Sequence, residues 1–280
     1  MKNKNAGMWQ IDRPKMSKAP PASQALLRVL LLAAAAAALL AGLLWACRGR
    51  SIWGGTSERF EPPPGRVLIV MYSTPNILEY ADLAARINEM YAKRHGYAFK
   101  HVVGEDGDTS MRPVWKKVFL VRDELPNWDA VYWIDSDAIV NDHSKPLPLG
   151  TADEFLISSD WPNGPSLVNT GSFIVKNTPF GRTFMERWAA MMTKIGSTYN
   201  TKFPYEQGAC EDLIRSLGRE SSKAKVLPAE ALNSIFGKVS RGQFQGLFVI
   251  HLMACPAAYR KKVFRRWLEH NNVDVSAAPG

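Results

Sequence analysis

The chain has 280 residues, a formal net charge of +9, a hydrophobic fraction of 46% and nine tryptophans. That much apolar material excludes an intrinsically disordered chain and suffices for one domain with a substantial core. The charge does not describe a nucleic-acid face, because it gathers at the two ends. Residues 1–28 carry Lys2, Lys4, Arg13, Lys15, Lys18 and Arg28 against Asp12, and Arg260, Lys261, Lys262, Arg265 and Arg266 stand against Glu269, which leaves the rest near neutral.

Residues 29–47 carry no charge. As a helix they would span roughly 28 Å at about 1.5 Å per residue, close to the hydrocarbon thickness of a bilayer. The Ala-rich centre also suits a cleaved signal peptide, but the segment before it is long for an n-region and the stretch exceeds a usual h-region, so an uncleaved anchor is expected. The basic tail, 1–28, then lies in the cytosol and the following domain on the opposite side. Residues 48–65 are polar and end in Pro62-Pro63-Pro64-Gly65, a short stem stiffened by prolines. The folded domain is expected over 66–270, with 271–280 as a flexible tail.

Arg66-Val67-Leu68-Ile69-Val70-Met71-Tyr72 is a continuous apolar run stopped by Ser73-Thr74-Pro75-Asn76, the pattern of a buried strand. Ile77, Tyr80, Ala81, Ala84, Ile87 and Tyr91 recur at helical spacing, which predicts a helix ending near His95-Gly96. Residues 97–103 read as a second strand. A second helix follows Pro113, with Val114, Val118, Leu120, Val121 and Leu125 as its apolar positions. A third strand at 131–134 completes strand-helix-strand-helix-strand, which predicts a mostly parallel α/β sheet with helices on both faces. Further strands are expected at 154–159, 172–175 and 247–251, and helices over 180–195 and 206–217. No Gly-x-Gly-x-x-Gly or P-loop follows the first strand, so a Gly-rich phosphate cradle is not supported. A lumenal domain would permit a Cys210–Cys255 disulfide; two buried free thiols are the other reading.

The third strand carries the most chemistry. Val131-Tyr132-Trp133-Ile134 leads into Asp135-Ser136-Asp137-Ala138, an apolar run that ends in two carboxylates one residue apart. Acidic residues at the carboxyl end of such a strand lie where open α/β sheets bind ligands. If the strand continued, Asp135 and Asp137 would share a face and form a hard oxygen site for a divalent cation that could hold a diphosphate. A solvated turn with Asp as a helix cap is the ordinary alternative.

Six pieces in order resemble glycosyltransferase family 34, the galactosyl-, xylosyl- and mannan-synthesis transferases of the GT-A fold. They are Tyr91-Ala92-Lys93-Arg94-His95-Gly96-Tyr97; Arg112 with Trp115-Lys116-Lys117; Tyr132-Trp133-Ile134-Asp135-Ser136-Asp137-Ala138; Val168-Asn169-Thr170-Gly171-Ser172-Phe173; Glu206-Gln207; and His251-Leu252-Met253-Ala254-Cys255. The resemblance implies a metal-dependent retaining transferase that moves a hexose or pentose from a nucleotide sugar to a glycan or glycoprotein acceptor, forming an α linkage. It implies Mn²⁺, with Mg²⁺ as the other option, on Asp135, Asp137 and His251. Tyr72, Thr74, Lys116, Asp135 and Asn169 would contact the donor, and Glu206 and Gln207 would face the reacting sugar carbon.

The family can carry a basic residue just after its His motif. Here Pro256 follows Cys255, and Arg260 or Lys261 would have to substitute. The setting implied is a single-pass type II protein of the Golgi membrane with a lumenal catalytic domain, in complex with other glycosyltransferases or alone. A non-catalytic glycan- or nucleotide-sugar-binding subunit, and a GT-A transferase of other stereochemistry, are the alternatives.

Overall fold

The structure is a computed structural model, described for residues 66–105, 111–164 and 166–274. The expected tail, anchor and stem lie outside the described residues, among which no helix is long and apolar enough to cross a membrane. In chain order the elements are β1 (Val67–Ser73), α1 (Leu78–His95), β2 (Ala98–Val103), α2 (Pro113–Glu124), β3 (Ala130–Ile134), β4 (Ala138–Val140), β5 (Phe155–Ser158) and β6 (Asn169–Lys176). There follow α3 (Pro179–Thr193), α4 (Glu206–Arg215), β7 (Ala224–Leu227), α5 (Ala229–Leu232), α6 (Phe236–Val239), β8 (Val249–His251) and α7 (Ala257–His270).

Six strands form one sheet in the order β2-β1-β3-β6-β5-β7. β1 pairs in parallel with β2 and β3, β6 runs antiparallel to both β3 and β5, and β7 is parallel to β5. The sheet is therefore mixed, with β6 alone reversed. Alternation explains the apolar run of β1: Val67, Ile69 and Met71 join a core with α1 and α7 on one face, while Leu68 and Val70 join Trp115, Val118 and Val121 of α2 on the other. A strand buried on both faces reads as unbroken hydrophobicity. α1 stops where Gly96 takes up a left-handed φ of 69° and donates its N–H to the carbonyls of Ala92 and Lys93.

On the α2 face, Trp188 of α3 packs against Phe155 and Phe173, with ring centroids 6.3 and 5.2 Å away. Its indole N–H donates to the carbonyl of Glu206 at 2.9 Å, so the core of this face also fixes the first residue of α4. Burying each such ring contributes about 2–3 kcal/mol.

The opposite face carries a two-stranded antiparallel ribbon of β4 and β8, with Ala138 opposite His251 and Val140 opposite Val249. Two expectations need correction. β3 does not run through the acidic pair: it ends at Ile134, and the N–H of Ala138 closes a turn on the carbonyl of Asp135 at 3.0 Å. Helix 180–195 ends at Thr193, leaving Ile195 fully exposed. Cys210 and Cys255 are both free and buried.

Candidate active site

The turn after β3 is held from three sides. The Asp135 N–H donates to the carbonyl of Gly171 in β6 at 2.8 Å. The Ser136 hydroxyl donates to the carbonyl of Tyr72 at 2.5 Å and lies 2.8 Å from the Ser73 hydroxyl, tying the turn to the end of β1. The Leu252 N–H donates to the carbonyl of Asp137 at 2.8 Å, extending the β4–β8 ribbon. Backbone pairing, not strand alternation, thus aims both carboxylates at one point.

At that point one ligand atom each from Asp135, Asp137 and His251 lies within 4.8 Å of the other two. His251 Nε2 is 3.1 Å from Asp137 Oδ1, and the Arg260 guanidinium is 2.7 Å from Asp137 Oδ2. His251 is buried at 4% exposure, and its Nδ1 is 2.8 Å from Asn233 Oδ1. Two carboxylates and an imidazole are a donor set that suits Mn²⁺, and Mg²⁺ less well because it prefers oxygen and water. Burial pushes the Asp137 carboxyl up, but His251 and Arg260 overcome it and hold it at about 2. Burial pulls His251 down, and Asp137 more than restores it, leaving the imidazole above its usual value.

Gly171 makes this approach sterically feasible. A Cβ there would meet His251 Cε1 at 2.2 Å and Nδ1 at 2.8 Å. The neighbouring Asn169 braces the same strand: its Oδ1 accepts the Gly171 N–H at 2.9 Å, and its Nδ2 donates to Asp160 at 2.8 Å. Buried at 8% exposure, Asn169 organises the loop rather than standing open to a sugar.

A lysine bridges the carboxylates: it is Lys117, the neighbour of the expected donor-contact residue Lys116. Lys117 Nζ is 3.0 Å from Asp135 Oδ1, 3.3 Å from Glu206 Oε1 and 3.2 Å from the Thr170 carbonyl, with the residue 4% exposed. Burial lowers its pKa, but Asp135 and Glu206 prevail and raise it. Lys116, about 100° away around α2, is half-buried. The helical phase held the signal: Lys117 lies one turn from Val121 on the buried stripe. Trp133, missed in sequence, donates its indole N–H to Asp135 Oδ1 at 2.7 Å.

Glu206 opens α4 with its side chain buried. Its Oε1 accepts from the Thr170 hydroxyl at 3.0 Å, and burial raises its pKa, Lys117 opposing and Asp135 reinforcing. Gln207 Oε1 accepts the Thr170 N–H at 3.3 Å, so β6 ties down both expected catalytic residues. Tyr205, before them, holds a left-handed φ of 53°, a strained conformation for a side-chain-bearing residue, and Arg112 stacks on its ring at 4.7 Å. Tyr72 is half-buried at the end of β1, and Thr74 precedes a short 3-10 turn without capping it through its side chain. Arg260 reaches the site, whereas Lys261 pairs with Glu79 at 3.0 Å on the surface.

The fold resembles that of GT-A glycosyltransferases. A crystal structure of a glycosyltransferase involved in glycosylation of the major capsid of PBCV-1 superposes with a TM-score of 0.59 at 20% identity, covering 72% of this chain and 99% of that one. The chain belongs to the galactosyl transferase GMA12/MNN10 family, whose model matches residues 66–149 and 147–262. Similar curated proteins include "Xyloglucan 6-xylosyltransferase 2" of Arabidopsis thaliana, 28% identical over 166 residues, 52% of this chain and 36% of that protein. "Probable alpha-1,6-mannosyltransferase MNN10" of Saccharomyces cerevisiae is 29% identical over 138 residues, 35% of this chain and 33% of that protein. "Probable glycosyltransferase 7" of Oryza sativa is 33% identical over 92 residues, 29% of this chain and 21% of that protein. The matches thus span about a fifth to a third of the length of these relatives.

Proposed function

We propose that this chain is a metal-dependent retaining glycosyltransferase. It moves a hexose or pentose, of the galactose, mannose or xylose kind, from a nucleotide sugar to a glycan acceptor and forms an α linkage. The observation that carries the reading is the convergence within 4.8 Å of Asp135 and Asp137 with His251, which follows them by more than a hundred residues. A divalent cation held there, Mn²⁺ by preference, supplies Lewis-acid stabilisation for the charge that grows on a departing nucleoside diphosphate.

The chain's own groups do the rest. Lys117 and the Trp133 indole fix the orientation of Asp135 through contacts of 3.0 and 2.7 Å. Arg260, 2.7 Å from Asp137, would add positive charge beside a diphosphate bound at the cation. Glu206 would act through its field on an oxocarbenium-like sugar. Its carboxylate is buried against Lys117 and Thr170, which does not suit a covalent nucleophile. The supported course is therefore departure and attack on the same face of the sugar without a glycosyl-enzyme intermediate. Residues 29–47 would hold the protein in the Golgi membrane with this domain lumenal.

The test is a screen of nucleotide-sugar donors for hydrolysis and transfer by the full chain, with and without Mn²⁺. Turnover of at least one donor that stops on chelation and in Asp137→Ala supports the reading. Undiminished turnover in either condition removes it, and glycan binding without turnover of any donor favours a non-catalytic subunit.

A further inference from the structure

One buried polar residue beside the site was not legible in the sequence. Asn233, at the end of α5, is fully buried. Its Oδ1 accepts the N–H of Ser234 at 2.8 Å and lies 2.8 Å from His251 Nδ1, while its Nδ2 has no partner among the described residues. The amide's orientation follows from chemistry. A backbone N–H can only donate, so the atom facing Ser234 N must be the oxygen. A reversed amide would set its NH₂ against that N–H. The same oxygen faces His251 Nδ1, so Nδ1 must carry a proton to donate to it.

A proton on Nδ1 leaves the lone pair of the neutral imidazole on Nε2, the nitrogen 3.1 Å from Asp137 Oδ1. At that separation the two atoms need an electron-poor centre between or beside them, either a second proton on the charged ring or a cation. We propose that Asn233 is a positioning residue: it holds His251 in the Nδ1–H tautomer and so presents Nε2, rather than Nδ1, to the cation. This rests on the metal reading proposed above. Hydrogen bonding of the second imidazole nitrogen is the usual means by which protein metal sites fix a histidine ligand.

Ser234 supports the same histidine in a different way. Its hydroxyl accepts the backbone N–H of His251 at 2.6 Å and donates to the Val249 carbonyl at 3.0 Å. It holds the β8 backbone and does not touch the ring nitrogens. Ser234→Ala therefore serves as the control for a merely structural role.

The experiment uses the full chain labelled with ¹⁵N-histidine, with ¹¹³Cd²⁺ as a diamagnetic probe for nitrogen shifts and couplings and Mn²⁺ for affinity by electron paramagnetic resonance. The expected result is cadmium coupling to His251 Nε2 with a proton on Nδ1. Asn233→Leu should weaken Mn²⁺ by about 10- to 100-fold. Asn233→Asp keeps the acceptor and should hold affinity within about threefold, and Ser234→Ala should lower the melting temperature while affinity stays within about twofold. Cadmium on Nδ1 would overturn the proposal, as would unchanged affinity in Asn233→Leu or an equal loss in Ser234→Ala. If the unaltered chain binds neither ion, the metal reading itself fails. The tautomer is then read from the metal-free chain at a pH where the ring is neutral, and a proton on Nε2 overturns the proposal there.

Discussion

Replacing Gly171 by alanine tests whether the close approach of β6 to His251 matters. The added Cβ would stand 2.2 Å from His251 Cε1. Carbon contacts settle at about 3.5–4.0 Å, so the ring must retreat by roughly 1.3 Å or more, or β6 must shift instead. The ring has little room to do so, because Nδ1 is held by Asn233 at 2.8 Å and Nε2 faces Asp137 at 3.1 Å. β6 is pinned as well, between β3 and β5 in the sheet. Overpacking of this kind costs about 1–3 kcal/mol of stability. Misplacement of a reacting group by about 1 Å costs roughly 10²-fold in rate. Gly171→Ala should therefore stay folded, melt a few degrees lower and lose about 100-fold in Mn²⁺-dependent transfer, read by melting curves and donor turnover side by side. Wild-type turnover in a folded variant would refute the steric argument.

Lys117→Met leaves the buried Glu206 and the half-buried Asp135 without their shared cation and should cost about 3–5 kcal/mol, whereas Lys261→Met, which loses only an exposed pair with Glu79, should change stability by less than about 1 kcal/mol. Equal melting temperatures for the two variants would contradict the assignment of Lys117. Stability should also fall with acidity through His143, whose imidazole burial pushes down from 6.5 to about 4, the Val140 hydrogen bond opposing it. The folded state keeps the ring neutral while the unfolded state takes up a proton below 6.5, so stability is full above that pH and declines between 6.5 and about 4. The partly exposed ring reduces the effect to about 1–2 kcal/mol. His143→Gln should flatten that part of a pH series of urea melts, and an unchanged slope would count against it.

Much of the framework was legible because its physics is local. β1 and β3 are buried on both faces and announce themselves as apolar runs, and α1 carries its stop signal in Gly96. β7 escaped notice because Ala224, Lys225, Val226 and Leu227 form a half-exposed edge strand with no apolar run. β4 has three residues and exists only through its pairing with β8, so nothing local specifies it.

The site divides in the same way. Asp135, Asp137, His251, Glu206 and Gln207 stand in motifs, and the structure brings the first three to one point and sets Glu206 and Gln207 against Thr170. Finding Lys117 beside Asp135 and Glu206 needed helical phase, which the sequence does contain. The roles of Asn233 and Arg260 depend on tertiary approach: Arg260 reaches Asp137 because α7 packs on α1, where Arg260 also bonds the Tyr80 hydroxyl at 2.9 Å.

The central claim is that Asp135, Asp137 and His251 form one cation site. Titration of the full chain with Mn²⁺, followed by electron paramagnetic resonance, tests it most directly. The account predicts a single site whose occupancy is lost in Asp137→Ala and weakened at least tenfold in His251→Ala, with both variants still folded. Mn²⁺ binding of wild-type strength in either folded variant would contradict it.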